Sequence, residues 1–172
     1  MNIALIGYRG TGKSTIARRL AAKLNMDFVD LDEEIVKVDG RPIPGIFAES
    51  GEPFFRELEK EAVAKVAALD NKCIACGGGA VLVKENIDRL KSNSTVILLQ
   101  TKPEIIYLRV KGDKNRPALT KKSGIDEVKH MISQRQKLYE KAADFKIDTS
   151  RDSVNESVRK IIEKLEERKR NG

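Results

Sequence analysis

Short, nearly unbroken apolar runs alternate along the chain with longer stretches whose apolar residues recur every three or four positions. NIALIG (2–7), DFVDL (27–31), KCIAC (72–76), TVILLQ (95–100) and FKIDT (145–149) read as strands. A helical period runs through STIARRLAAKL (14–24), EEIVKV (33–38), the segment around IFAES and EPFFRELEKEAVAKVAAL (52–69). It returns in KENIDRL, PEIIYLRV, IDEVKHMISQRQKLYEKA (125–142) and VNESVRKIIEKLEERK, whose Val154, Val158, Ile161, Ile162 and Leu165 share one side. Apolar strands separated by helices predict a parallel sheet covered on both faces. The expected fold class is α/β, a three-layer αβα sandwich around a central five-stranded parallel sheet, in one domain spanning 1–172. The stretch 111–124 lacks either period and is rich in Lys, Gly, Asp and Pro. It reads as a long exposed loop, and such loops in compact domains are functional or disordered.

Composition narrows the function. At 172 residues the chain can bury a core without disulfides or metal staples. No apolar run approaches the roughly 20 residues needed to cross a bilayer. The N-terminus lacks the basic start, apolar segment and cleavage site of an export signal. A cytoplasmic location and no membrane partner are expected. The formal charge of +7 admits a nucleic-acid partner, but the charges are dispersed and base-stacking aromatics are scarce: five Phe, three Tyr and no Trp. No nucleic-acid partner is expected; part of the excess lies in KGDKNRPALTKK, where a nucleoside triphosphate would explain it equally well. Cys73 and Cys76 form a C-x-x-C pair inside a strand, not at a helix start where a redox thiol gains acidity. The only histidine, His130, is far away in a helical segment, so a zinc site lacks ligands. Both cysteines are expected to be buried core thiols.

The sharpest signal is GYRGTGKST, residues 7–15, directly behind the first strand. It matches G-x-x-x-x-G-K-[ST] with Gly7, Gly12, Lys13 and Ser14 in register, between a strand and an amphipathic helix. Glycines let successive N–H groups turn inward around phosphate oxygens, and the following helix adds its positive end. Lys13 brings a full charge to the β- and γ-phosphates, and the Ser14 hydroxyl can ligand Mg²⁺. A plain Gly-rich turn would explain neither the lysine nor the serine.

Two further clusters fall at strand ends. Asp30 and Asp32 close the second strand, where ligands bind in open parallel sheets; two apart on a strand, they point to one face. A kinase needs one acid near Mg²⁺ and one near the attacking hydroxyl. The alternative is that Asp32, Glu33 and Glu34 simply favour the next helix start through its dipole. Gly77, Gly78 and Gly79 follow the third strand and suggest backbone pressed against a ligand, or else a tight bend.

GTGKST, DLD, FRELE, GGGA, NRPAL and RQKLY, in this order and over essentially the whole chain, resemble shikimate kinase. The resemblance implies a P-loop kinase fold with a mobile lid at about 111–122. It implies transfer of the γ-phosphoryl of ATP to the 3-hydroxyl of shikimate, in aromatic amino-acid biosynthesis. The nucleotide would be held by Gly10, Thr11, Gly12, Lys13, Ser14, Thr15 and Arg116. Shikimate would be held by Asp32, Arg56, Gly77, Gly78, Gly79 and Arg135. Asp32 would accept the proton of the attacking hydroxyl, with Lys13 and Arg116 as further catalytic residues; Ser14 and Asp30 would hold Mg²⁺. Arg56 and Arg135 would grip the carboxylate of shikimate, a task that suits the planar guanidinium fork. Without the resemblance, Arg56 reads as an exposed ion pair with Glu52 or Glu59, and Arg135 as part of a solvated helix face. Arg109 and the turn at Arg151 and Asp152 correspond roughly to an adenine pocket, but SRDSVNES lacks the proline often found there and no adenine contact is assigned. A monomer is expected. Rival readings are a gluconate or nucleoside monophosphate kinase, against which GGG, NRPAL and the two arginines speak, and a non-catalytic nucleotide-binding regulator.

Overall fold

Asn2–Ile6 (β1) is buried along its whole length, which is why its sequence is uninterrupted by charge. Its one polar residue, Asn2, is satisfied internally: its amide donates to the Leu69 carbonyl (2.7 Å) and accepts from the Lys72 N–H (2.8 Å). The computed structural model describes residues 1–112 and 123–172. After β1 come α1 (Lys13–Leu24), β2 (Asp27–Asp30), α2 (Leu31–Asp39), α3 (Ile43–Ala67) and β3 (Lys72–Ala75). A 3-10 turn (Ala80–Leu82), α4 (Lys84–Asn93), β4 (Ser94–Gln100), α5 (Pro103–Val110), α6 (Gly124–Ala142), β5 (Phe145–Asp148) and α7 (Val154–Asn171) complete it.

The five strands form one sheet in the order β2-β3-β1-β4-β5, every pairing parallel. Residues alternate across it. Ile3, Leu5, Cys73, Ala75, Ile97 and Leu99 pack beneath α1 and α7 with Ile16, Leu20, Val158 and Ile161. Ala4, Ile6, Ile74, Cys76, Val96 and Leu98 face the other layer, with Leu31, Ile35, Phe55, Val63, Leu90 and Tyr139. The three-layer architecture read from the sequence is therefore observed. β1 lies between β3 and β4, and the connections after β1 and β3 leave from the carboxyl edge where open parallel sheets bind ligands.

The two helical segments expected around IFAES and from Glu52 onward are joined as α3, but the backbone breaks between them at Gly51 (φ 81, ψ 170). Pro53 then falls in the first turn of the second segment, where its missing N–H costs no hydrogen bond. The start of α7 solves its capping without proline. Ser153 accepts from the Glu156 N–H (3.2 Å), and Glu156 accepts from the Ser153 N–H (2.6 Å), a reciprocal capping box.

Both cysteines are buried thiols, as expected, and they face opposite helical layers. Burial pushes the Cys73 thiol up to about 12 and raises Cys76 as well, so neither forms a ready nucleophile. Among the described residues, no helix is long and apolar enough to cross a membrane.

Candidate active site

The β1–α1 connection depends on glycine where the chain turns most sharply. Gly10 has φ 81, and a Cβ there would come 2.7 Å from the Val110 side chain. Helix α1 starts at Gly12 with no side-chain cap, so its positive end is directed at whatever occupies the loop. Lys13, 9% exposed, folds back across the loop: its Nζ donates to the Gly7 (2.8 Å) and Tyr8 (2.9 Å) carbonyls. Thr11 is buried, and its hydroxyl donates to the Tyr8 carbonyl (2.8 Å). Ser14 and Thr15 are exposed in the first turn of α1. The Ser14 hydroxyl donates to Asp30 Oδ2 at 2.6 Å.

The two aspartates do not lie two apart on one strand. Asp30 ends β2 in extended conformation and caps α2, accepting from the Asp32 N–H (2.9 Å) and the Glu33 N–H (3.3 Å). Asp32 stands in the first turn of α2. The helix-start reading is correct for the local backbone, since a short acid side chain satisfies orphan amides there. Yet both carboxylates still reach the cleft: Asp30 toward Ser14, and Asp32 toward Gly77, whose Cβ would sit 3.1 Å from Asp32 Oδ1.

The Gly77–Gly79 segment lies between the phosphate-type loop and the two arginines. A Cβ on Gly78 would be 3.4 Å from the Arg9 amide and 3.8 Å from the Arg135 guanidinium. A Cβ on Gly79 would overlap the Arg56 guanidinium, so that position accepts no larger residue while Arg56 stays in place. Arg56 does pair with Glu52 (3.1 Å), an i,i+4 helix pair whose acid is exposed, and with Glu59 (3.0 Å), where the pair is enclosed. Its side chain is 14% exposed and Glu59 only 1%. Burial pushes the Glu59 carboxyl up, with Arg56 opposing the shift. Its Oε2 has no hydrogen-bond partner among the described residues and lies 3.0 Å from the Cβ position of Gly77.

Arg135 is likewise not on a solvated face. It is 4% exposed on the inner side of α6. Tyr139, one turn further along α6, donates to the Gly78 carbonyl (2.5 Å). Burial pushes the Tyr139 hydroxyl up to about 12, against the pull of Arg135, so it stays a neutral donor. Buried Arg135 and half-buried Arg56 stand next to the carboxylates of Asp32 and Glu59, a set of groups whose chemistry suits an anion beside a hydroxyl. Arg116, and nearly all of the expected lid at 111–122, lies outside the described residues.

Glu59, Tyr139 and Thr149 are absent from the residues singled out by sequence. Glu59 closes FRELE and is visible there as a partner for Arg56, and Tyr139 closes RQKLY, but neither motif tells that Tyr139 reaches Gly78, which is distant in sequence. Beyond Ser14 and Thr15, an open groove of about 580 Å³ runs past Arg18 and Arg19 to Ser153, Val154 and Asn155. Arg109, across the loop, donates to the Gly10 (3.1 Å) and Thr149 (3.2 Å) carbonyls.

Residues 9–166 match the family described as shikimate kinase. A curated shikimate kinase of Pelotomaculum thermopropionicum is 42% identical over 166 residues, covering 96% of both chains. One of Thermodesulfovibrio yellowstonii is 41% identical over 165 residues, covering 96% of this chain and 95% of that one. Among solved structures, shikimate kinase from Acinetobacter baumannii in complex with shikimate superposes with a TM-score of 0.94 at 33% identity, over 98% of this chain and 94% of that one. The Aquifex aeolicus shikimate kinase gives 0.86 at 36% identity over the full length of both.

Proposed function

The chain belongs to the shikimate kinase family, and from that premise we propose how its own residues carry out the transfer of the γ-phosphoryl of ATP to shikimate. The phosphate loop, Gly10 to Thr15, wraps the triphosphate, and Lys13 exchanges its two carbonyl partners for phosphate oxygens. Arg56 and Arg135 grip the shikimate carboxylate, and the Gly77–Gly79 backbone forms the floor between them. Asp32 faces the 3-hydroxyl. As that oxygen attacks the γ-phosphorus its proton passes to Asp32, and the bond to the β–γ bridging oxygen breaks, leaving ADP and shikimate 3-phosphate. The transition state of such transfers is loose, so positioning and charge stabilisation supply most of the acceleration.

Mg²⁺ suits the Ser14–Asp30 pair. Their oxygens, 2.6 Å apart at the mouth of the loop, are hard donors, and Mg²⁺ takes one or two protein oxygens beside phosphates and water. When bound, the ion neutralises charge on the phosphates.

The observation that carries this reading is the meeting of Asp32, Arg56 and Arg135 around Gly77–Gly79, next to the Lys13 loop. A coupled ADP-release assay with shikimate, gluconate and nucleoside monophosphates tests it. Shikimate alone should accelerate ADP release; acceleration by another acceptor, with shikimate inert, refutes the assignment.

The contact at Gly79 makes a narrower prediction. Gly79→Ala forces the Arg56 guanidinium aside. The KM for shikimate should rise about tenfold, the value of one charge-assisted hydrogen bond, with the KM for ATP unchanged. Initial rates at varied concentrations of each substrate separate the two.

A further inference from the structure

We infer that Thr149 is a positioning residue for phosphate binding, its buried hydroxyl setting the orientation of the Thr11–Gly12 peptide in the phosphate loop. The inference rests on the loop's proposed role in holding the nucleotide. Thr149 follows β5 and is 2% exposed. Its Oγ1 donates to the Thr11 carbonyl at 2.9 Å, and the Thr101 hydroxyl, also buried, lies 2.6 Å away. A hydroxyl has one proton and two lone pairs. The Thr11 carbonyl is nearer to this hydroxyl than the Gln100 carbonyl, which lies 3.4 Å away, and with the Thr149 proton on Thr11 it is Thr101 that donates to Thr149.

The peptide held in this way matters for geometry. Peptide bonds are planar, and no cis bond occurs among the described residues. The Gly12 N–H therefore points opposite to the Thr11 carbonyl. Anchoring the carbonyl inward on Thr149 turns that amide outward, toward the space the phosphates take. Gly10 (φ 81) before Thr11 and Gly12 (φ 94) after it give the loop backbone wide freedom. The Thr11 hydroxyl limits that freedom from within, at the Tyr8 carbonyl, and Thr149 limits it from outside the loop. Arg109 ties the same two segments a second time through the Gly10 and Thr149 carbonyls.

The backbone pairing does not depend on the hydroxyl. At the end of β5 the Thr149 N–H bonds the Gln100 carbonyl at 2.7 Å, and the hydroxyl adds only a longer contact of 3.4 Å to the same oxygen. Valine has the same branched shape but cannot donate, whereas serine can.

Calorimetric titration of the unaltered chain, Thr149→Val and Thr149→Ser with Mg·ADP, and separately with shikimate, tests the tether. Thr149→Val should bind ADP about tenfold more weakly and shikimate within about twofold of the unaltered chain, one net hydrogen bond being lost on the nucleotide side alone. Thr149→Ser should bind ADP as the unaltered chain does. Equal ADP affinity in the valine variant overturns the tether, and so does an equal loss in both variants. If the valine chain does not fold, Thr149→Ala against Thr149→Ser gives the same comparison, since both lose the methyl and only serine keeps the hydroxyl. An unaltered chain that fails to bind ADP would instead refute the phosphate-loop reading itself, and the tether with it.

Discussion

Replacing Asp32 by Asn lowers kcat for shikimate phosphorylation by at least about 10²-fold, the usual loss when a positioned general base is removed. Asparagine keeps the size of the side chain and one acceptor oxygen, but it cannot take up the proton. The local backbone should survive the change. The first turn of α2 is capped by Asp30, which accepts from the amides of residues 32 and 33. Shikimate should still bind, because the two arginines proposed to hold its carboxylate are untouched. Steady-state rates with both substrates saturating isolate the effect in kcat. Near-normal turnover would show that Asp32 is no base.

Replacing Arg135 by Ala should cost about 10²-fold or more in kcat/KM for shikimate, since truncating one partner of a desolvated charge pair removes about 2–5 kcal/mol. The loss should fall mainly on KM, because the carboxylate is bound before and during the transfer and is remote from the reacting hydroxyl. Part of the cost arises within the protein: Arg135 is 4% exposed and packs beside Gly78, whose carbonyl Tyr139 holds. Arg135→Lys therefore makes the informative companion. It restores the charge but not the planar fork, and should recover only part of the affinity. Varying shikimate at saturating ATP, then ATP at saturating shikimate, reads both constants. An unchanged shikimate KM in Arg135→Ala would contradict the clamp.

The strands are legible in the sequence because a parallel strand covered on both faces must be apolar at nearly every position. NIALI and TVILL meet that demand, and their observed limits differ from the expected ones by a residue. The phosphate loop is legible because its lysine and serine have no purpose in an ordinary turn. Asp30 and Asp32 are legible only as a pair. D-L-D does not reveal that the chain changes from strand to helix at Leu31, and the argument from strand alternation fails there although both carboxylates reach the cleft. The buried charges are not legible at all from local pattern. FRELE on a helix looks like a solvated ion pair; only the approach of Gly77–Gly79 shows that Arg56 and Glu59 are enclosed. Arg135 and Thr149 owe their positions to partners far away in sequence, Gly78 through Tyr139 in one case and Thr11 in the other. Burial of a polar group is a property of the whole packing, and no short window contains it.

On the proposed mechanism the cleft divides its labour: main-chain amides and Lys13 take the phosphates, paired guanidinium groups the carboxylate, and Asp32 the hydroxyl between them. A crystal structure of the chain with ADP and shikimate bound together tests this most directly. The shikimate carboxylate should lie between Arg56 and Arg135, with one ring hydroxyl hydrogen-bonded to Asp32 and directed at the nucleotide. A carboxylate seated elsewhere, with both guanidinium groups turned from the ligand, would contradict it.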